Sequence, residues 1–324
     1  MCKKLYWEFF ILRFLIIFAS DKNNIYPHEK GSNVFMGDYM KNKVCFEDLF
    51  PDNRREGETT LRQAQFVMLR MLKVIDYICR KHGIQYWLCS GTLLGAVRHK
   101  GFIPWDDDLD ISMLREDYER FLEVAEAELP DDMMLQTRKT DPHYHYLPLP
   151  CKIRDRKSFT LSPGYEDEAC EKGLFVDIFP TDRYHTNRWI FGVEKLLKRY
   201  NRFICKCLDS IYFTHESPIR KILAHFYPLF HFLVKRYQKF VRKFINRNQG
   251  GTDCFIGAGW DTPWIRYIRY EELMPLSEMA FEDGMFYVPR NAGLYLETIY
   301  GADYMTPPPE DQRSRHASVL KPIL

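Results

Sequence analysis

Four carboxylates fall within five positions: Asp106, Asp107, Asp108 and Asp110. Like charges this close repel, and each raises its neighbours' pKa. Inside a fold, such a group calls for a bound cation. Asp108-Leu109-Asp110-Ile111 alternates acidic and apolar residues, and on a strand positions i and i+2 share one face. Asp108 and Asp110 then project together while Leu109 and Ile111 enter the core. Oxygen donors on one face suit Mg2+ or Mn2+, which bind through a few carboxylates plus substrate phosphates. A further acid, Asp177, stands alone in the apolar run Leu174 to Phe179. A lone buried carboxylate is costly unless paired, and a shared cation removes that cost. Asp108, Asp110 and Asp177 are therefore the expected metal ligands.

Upstream, Ser90-Gly91-Thr92 directly follows the β-prone run Ile84 to Cys89. A small Gly-containing turn at the start of a helix exposes backbone N–H groups at its positive end, which suits a phosphate. Gly95 permits close backbone approach in the same short helix. Arg98, His99 and Lys100 add cationic donors just before the acids. Lys152 and Arg154 alternate with Cys151 and Ile153, so a strand there turns both toward one face. Arg313 and His316 lie in a Pro-rich stretch that could fold back over the site. An acidic run alone is commonly a solvated loop, and a Ser-Gly-Thr turn alone says little. The order is what separates this chain from those cases: strand, Gly turn, short helix, paired acids, then a single-acid strand. It resembles the layout of the nucleotidyltransferase superfamily, with the usual Gly-Ser order inverted to Ser90-Gly91.

Positioning these groups requires a mixed set of elements. Thr60 and Gln63 read as a capping box. Val67, Met68, Met71, Leu72, Ile75 and Ile78 follow at helical spacing, and Gly83 stops the helix. A second helix is expected over 116–129. Short strands are expected over 133–136, 151–154, 174–179 and 285–288, and helices over 187–208, 218–246 and 292–300. The fold class is α+β, with a basic helical insertion. The expected organisation is an N-terminal extension to residue 56, a catalytic core over 57–185, a helical subdomain over 186–250, and a C-terminal part over 251–324 that completes the catalytic domain.

The chain has 324 residues, is 46% hydrophobic and 28% charged, and carries a formal net charge of +2. That describes a globular protein able to bury a full core; the charge balance and acidic cluster oppose a nucleic-acid partner. Nine cysteines include no CxxC spacing, which points to free thiols in a reducing, cytoplasmic setting. His143 and His145 alternate around Tyr144 but find no third zinc ligand nearby in sequence. The apolar stretch Leu5 to Ala19 is interrupted by Glu8 and Arg13, so a peripheral helix or an overlong start is expected ahead of a signal or anchor. Residues 186–248 hold 14 Lys and Arg against 3 acids. Within them, 235–245 mixes cations and apolar residues at near-helical spacing, a pattern suited to an anionic membrane surface.

With these residues in view, the sequence resembles the LicD family of phosphocholine transferases. The resemblance is carried by 86–111 (YWLCSGTLLGAVRHKGFIPWDDDLDI), 173–180 (GLFVDIFP) and 300–316 (YGADYMTPPPEDQRSRH), and spans roughly residues 57–316. It implies a nucleotidyltransferase-like enzyme that transfers phosphocholine from CDP-choline to a cell-surface glycan, lipopolysaccharide among them. Related fukutin-type enzymes move ribitol phosphate from CDP-ribitol. The resemblance thus implies a CDP-alcohol donor and a glycan acceptor that can be lipid-linked; the basic helical block adds the expectation of a cytoplasmic protein peripheral at the inner face of the cytoplasmic membrane. Asp177 is either a metal ligand or the general base, and Ser90, Gly91, Thr92, His99, Lys152 and Arg154 are the expected donor-binding residues. Choline, having no donors, is held by aromatic faces, and Trp87, Trp105, Tyr144 and Tyr146 stand near the motifs. Two other readings compete. One is a nucleotidyltransferase that places NMP on a small molecule or protein; the other is a non-catalytic, membrane-associated binding protein.

Overall fold

Thr59, not Thr60, caps the first long helix, α1 (Thr60–His82): its hydroxyl accepts the Arg62 backbone N–H at 3.1 Å. Gln63, expected to close a capping box, donates instead to the Gly57 carbonyl. Gly83 ends the helix as expected, in the left-handed region at φ 60°, where a side chain would be strained. The molecule is described by a computed structural model over residues 46–144, 151–162, 169–212, 226–245, 251–313 and 315–323. The stretch Leu5 to Ala19, with His145 and Tyr146, lies outside these residues. Among the described residues, no helix is long and apolar enough to cross a membrane.

Seven strands form the central sheet: β1 (Trp87–Leu88), β2 (Asp110–Leu114), β3 (Met133–Gln136), β4 (Cys151–Asp155), β6 (Phe175–His185), β7 (Cys254–Ala258) and β8 (Tyr267–Arg269). A smaller pair joins β5 (Phe159–Leu161) to β11 (Val319–Lys321), and a hairpin joins β9 (Ser277–Phe281) to β10 (Gly284–Val288). The order β1-β2-β6-β4-β3 puts the long β6 at the centre, and β7 with β8 extends from its far half. β2 runs parallel to β6, whereas β1, β4 and β7 pair antiparallel. Mixed pairing is what gives the α+β class.

Between the strands lie α2 (Ser90–His99), α3 (Arg115–Glu128), the long pair α4 (Arg188–Tyr212) and α5 (Tyr227–Ile245), and α6 (Ala292–Tyr300). The region after Gly251 reads as loop in sequence apart from 285–288 and 292–300, yet it supplies β7 and β8. Their partners lie far back in the chain, so short runs such as CFIGA carry no local signal.

The core joins one face of α1 to the sheet. Val67, Met71, Leu72 and Ile75 bury against Leu109, Ile111, Ile153, Val176 and Ile178, with Phe121 of α3 among them. Each such side chain contributes roughly 1.5–3 kcal/mol when fully buried. Ahead of α1, buried Arg54 pairs with Asp155 at 2.7 Å and donates to the Pro322 carbonyl at 2.6 Å. It ties the start of the described chain to β4 and to the C-terminal stretch.

Candidate active site

The parallel register of β2 and β6 sets Asp110 opposite Asp177. Adjacent strands lie about 4.8 Å apart, so two acids 67 positions apart in sequence become neighbours. On the other side of β6, Lys152 of β4 is paired with the same residue, and its ammonium lies 2.7 Å from the Asp177 carboxylate. Leu109 and Ile111 are fully buried, so the alternation expected from the sequence holds. The regular strand begins only at Asp110, with Asp108 just ahead of it.

Burial first, then repulsion from Asp108 and Asp177, pushes the Asp110 carboxyl well above its ordinary pKa. Asp106, which the sequence reading left out of the ligand set, is pushed up to about 8 by burial and by Asp108 beside it. Burial also raises Asp108. Oxygen-only donors and mutual repulsion fit a hard divalent cation. Asp106, Asp107 and His316 also place ligand atoms within 4.8 Å of one another. Both oxygens of Asp107 are committed elsewhere, however.

Asp107 anchors the C-terminal stretch. Its carboxylate accepts the His316 and Ala317 backbone N–H groups at 2.9 and 2.8 Å. Although burial opposes it, these bonds from His316 and Ala317 hold the Asp107 carboxyl below its usual range. The His316 ring then reaches Asp107 at 3.3 Å and Asp108 at 3.2 Å, and chiefly the Asp107 bond lifts its pKa to about 9. The stretch does fold back over the acids. Arg313 lies over the Trp105 ring at 4.2 Å, and Arg98 donates to the Tyr304 carbonyl at 3.1 Å.

These groups line one cavity of about 940 Å3. Ser90, Gly91, Arg98, Asp106, Asp108, Asp110, Lys152, Arg154, Asp177 and His316 all reach it. Two expected donor-binding residues do not. Thr92 is buried, and its hydroxyl accepts the Asp110 backbone N–H at 2.8 Å, which holds α2 against the acid strand. His99, at the end of α2, packs edge-on against Trp105 and lines a separate hollow with Phe66 and Glu282. Arg154 reaches the cavity wall but donates to the Gln136 side chain and to the Gly173 carbonyl.

Ser90 opens α2 with φ 49°, a left-handed conformation uncommon outside glycine. The strain falls where the chain turns from β1 into the site. Gly95 has the close packing expected: a Cβ there would sit 2.4 Å from the Gly101 carbonyl oxygen. At Gly91, an added Cβ would meet the Asp106 carboxylate at 2.8 Å. Gly91→Ala is therefore expected to displace that carboxylate and lower turnover by about tenfold or more, while the melting temperature stays near that of the unaltered protein. Steady-state kinetics beside a thermal melt will show it, and unchanged kinetics would refute the close approach.

Sequence reasoning missed Arg266, which lines the cavity and donates to the Ser90 hydroxyl at 3.3 Å. Of the aromatics expected from the sequence, Trp87, Trp105 and Tyr144 line the cavity, with Arg313 over the Trp105 ring. Sequence reasoning missed the rest of the aromatic wall, Phe175, Phe179, Trp264, Tyr267, Tyr295 and Tyr300. Phe175 and Phe179 flank Asp177 at strand spacing on β6, a period-two signal that could have found them; Trp264, Tyr267, Tyr295 and Tyr300 come from the β7–β8 region and α6, which no local pattern connects to the acids.

Residues 83–203 match the family model described as LicD/FKTN/FKRP, nucleotidyltransferase domain. Over 266 residues the chain is 32% identical to the lipopolysaccharide cholinephosphotransferase LicD of Haemophilus influenzae, an alignment covering 79% of this chain and 96% of that protein. The chain belongs to the LicD family. The human ribitol 5-phosphate transferase FKRP shares 54% identity over 35 residues, 11% of this chain and 7% of its own. The human ribitol-5-phosphate transferase FKTN shares 29% over 94 residues, 28% and 20% of the two chains. The LicD-type match spans the acids on both β2 and β6, and its last residue falls inside α4.

Proposed function

We propose that this LicD-family chain transfers a phospho-alcohol, with phosphocholine the first candidate, from a CDP-activated donor to a hydroxyl group of a glycan. The observation that carries this reading is the register pairing Asp110 with Asp177 in a cavity that also holds Asp108, Arg98, Arg266 and His316. The reaction class comes from the relatives, named as a lipopolysaccharide cholinephosphotransferase and as ribitol phosphate transferases. The acceptor oxygen attacks the phosphorus bearing the alcohol, and the bridging P–O bond breaks with its electron pair passing to CMP. Positioning and charge dominate such a transfer. Asp108, Asp110 and Asp177 would hold Mg2+ or Mn2+, which when bound offsets charge on the pyrophosphate and the departing CMP. Lys152 orients the Asp177 carboxylate. Arg98, Arg266 and His316 face the phosphates as cations, and Ser90 with Gly91 frames their approach. The acceptor proton passes to a carboxylate of the cluster.

A donor screen tests the proposal: CDP-choline, CDP-ribitol and CDP-glycerol, each with Mg2+ and a glycan acceptor. CMP release from at least one is expected. Consumption of an NTP with pyrophosphate release and no CMP would overturn it in favour of nucleotidyl transfer. Chelation is expected to stop turnover, and restored Mg2+ to raise the melting temperature by several degrees as the carboxylates cease to repel. A melting temperature indifferent to Mg2+ and Mn2+ would count against the metal site.

A further inference from the structure

The inner face of α4 buries Glu194, Lys198 and Asn201 beside Ile204 and Cys205. Glu194 takes the His185 ring at 2.6 Å, Lys198 donates to the Gly259 and Thr262 carbonyls, and Asn201 donates to the Thr262 carbonyl at 3.0 Å. Its outer face is apolar: Trp189 is 87% exposed, Val193 58% and Phe203 62%, with Leu196 exposed between them. Spacings of four, three and seven residues put all four within one narrow arc. The neighbouring helix α5 adds exposed Leu229 and Phe232, while Val234 packs back onto Ile204 and Cys205 of α4. α4 thus carries apolar side chains on both its buried side and this exposed stripe, and a stripe of Trp, Val, Leu and Phe is not shaped for water.

Among the described side chains, the charges beside this face have one sign. Arg199, Arg202 and Lys206 of α4 are exposed, as are Lys235, Arg236 and Lys239 of α5. Glu194 is turned inward, and α5 carries no acid at all. Arg236 lies 5.8 Å over the Phe232 ring; as i+4 of Phe232 and i+7 of Leu229 it shares their arc of α5, so on this helix the cationic heads stand on stems laid among the exposed apolar side chains. We propose that the paired α4–α5 face is a docking surface for an anionic lipid bilayer, with the apolar stripe entering the headgroup boundary and the Lys/Arg rim meeting lipid phosphate. Charge selects this occupant: a rim wholly cationic among the described side chains would repel its own copy, but it complements an anionic surface. The proposal is independent of which donor the cavity takes.

Vesicle flotation of the full chain tests it, comparing phosphatidylcholine alone with a mixture containing about one-third phosphatidylglycerol. Binding to the anionic vesicles is expected, with at least about tenfold less on the neutral ones and a marked loss as salt shortens the Debye length. Trp189→Glu with Phe203→Glu should cut the bound fraction about tenfold, and Lys235→Glu with Lys239→Glu should do likewise. Because these side chains are solvent-facing, both variants should keep the melting temperature of the unaltered chain. If the first pair misfolds, Leu229→Glu on the partner helix asks the same question. Absent binding, or equal binding to neutral and anionic vesicles, would overturn the proposal. So would a dimer in vesicle-free solution that Trp189→Glu dissociates.

Discussion

Asp110→Asn is expected to reduce turnover by about a thousandfold or more while raising the melting temperature of the cation-free protein. Both effects have one origin. Asp110 is opposite Asp177 and close to Asp108, and burial with repulsion from these acids disfavours its charge. An amide of nearly the same shape removes a charge that costs stability when no cation is bound. It also removes a ligand that a cation and the donor phosphates require. Stability and function therefore move in opposite directions, as is common where a site is assembled from like charges. The measurement is CMP release beside thermal melts with and without Mg2+. In the variant the Mg2+-dependent rise should vanish. Turnover within threefold of the unaltered chain would remove Asp110 from the chemistry.

The largest effect on stability is expected at Arg115, at the junction of β2 and α3. Its guanidinium donates to both oxygens of Asp182 at 2.9 and 2.8 Å and to Asp261 at 3.2 and 2.7 Å. Arg115 and Asp182 are both buried, and Asp182 also accepts the Trp260 backbone N–H at 2.6 Å. Leu114 and Thr181 are the last register pair of β2 with β6, so Arg115 and Asp182 stand one step beyond it. The ion pair clamps the same two strands that carry Asp110 and Asp177 at their other ends. Arg115→Ala leaves a buried carboxylate uncompensated, at a cost of about 3–5 kcal/mol. For a domain of this size that corresponds to a fall of roughly 10 °C in melting temperature. Part of the loss should return when Asp182→Asn is added, since the stranded charge is then gone. A decrease below about 1 kcal/mol in urea unfolding would show that the pair contributes little.

The parts of the site readable from residue order were those governed by local periodicity. Asp108, Leu109, Asp110 and Ile111 alternate because a strand has period two, and the lone acid in an apolar run marked Asp177. Gly83 and Gly95 were legible because a left-handed helix end and a close backbone approach each demand a small residue. The Thr60 cap was misplaced by one position, since Thr59 and Thr60 are chemically alike and only the approach of the Gly57 carbonyl to Gln63 separates them. Asp107 looked like a fourth member of the acid cluster, yet its carboxylate is taken by the backbone of a stretch 209 positions further along, a partner that no local pattern reveals.

What the sequence determined alone was the list of reactive groups, their local pairing and the family: three stretches carrying acids, glycines and cations in a fixed order. What only the tertiary structure decided was which of them meet. The parallel register brings Asp110 to Asp177, β4 brings Lys152 to the same carboxylate, and the returning C-terminal stretch delivers His316. The structure also set the faces of α4, spending Lys198 and Asn201 on buried carbonyls and presenting Trp189 and Phe203 outward. The physical reason is common to all of these. Hydrophobic period and turn chemistry act over a few residues, whereas register, ion pairing and burial depend on partners tens to hundreds of positions away, chosen only when the whole core closes.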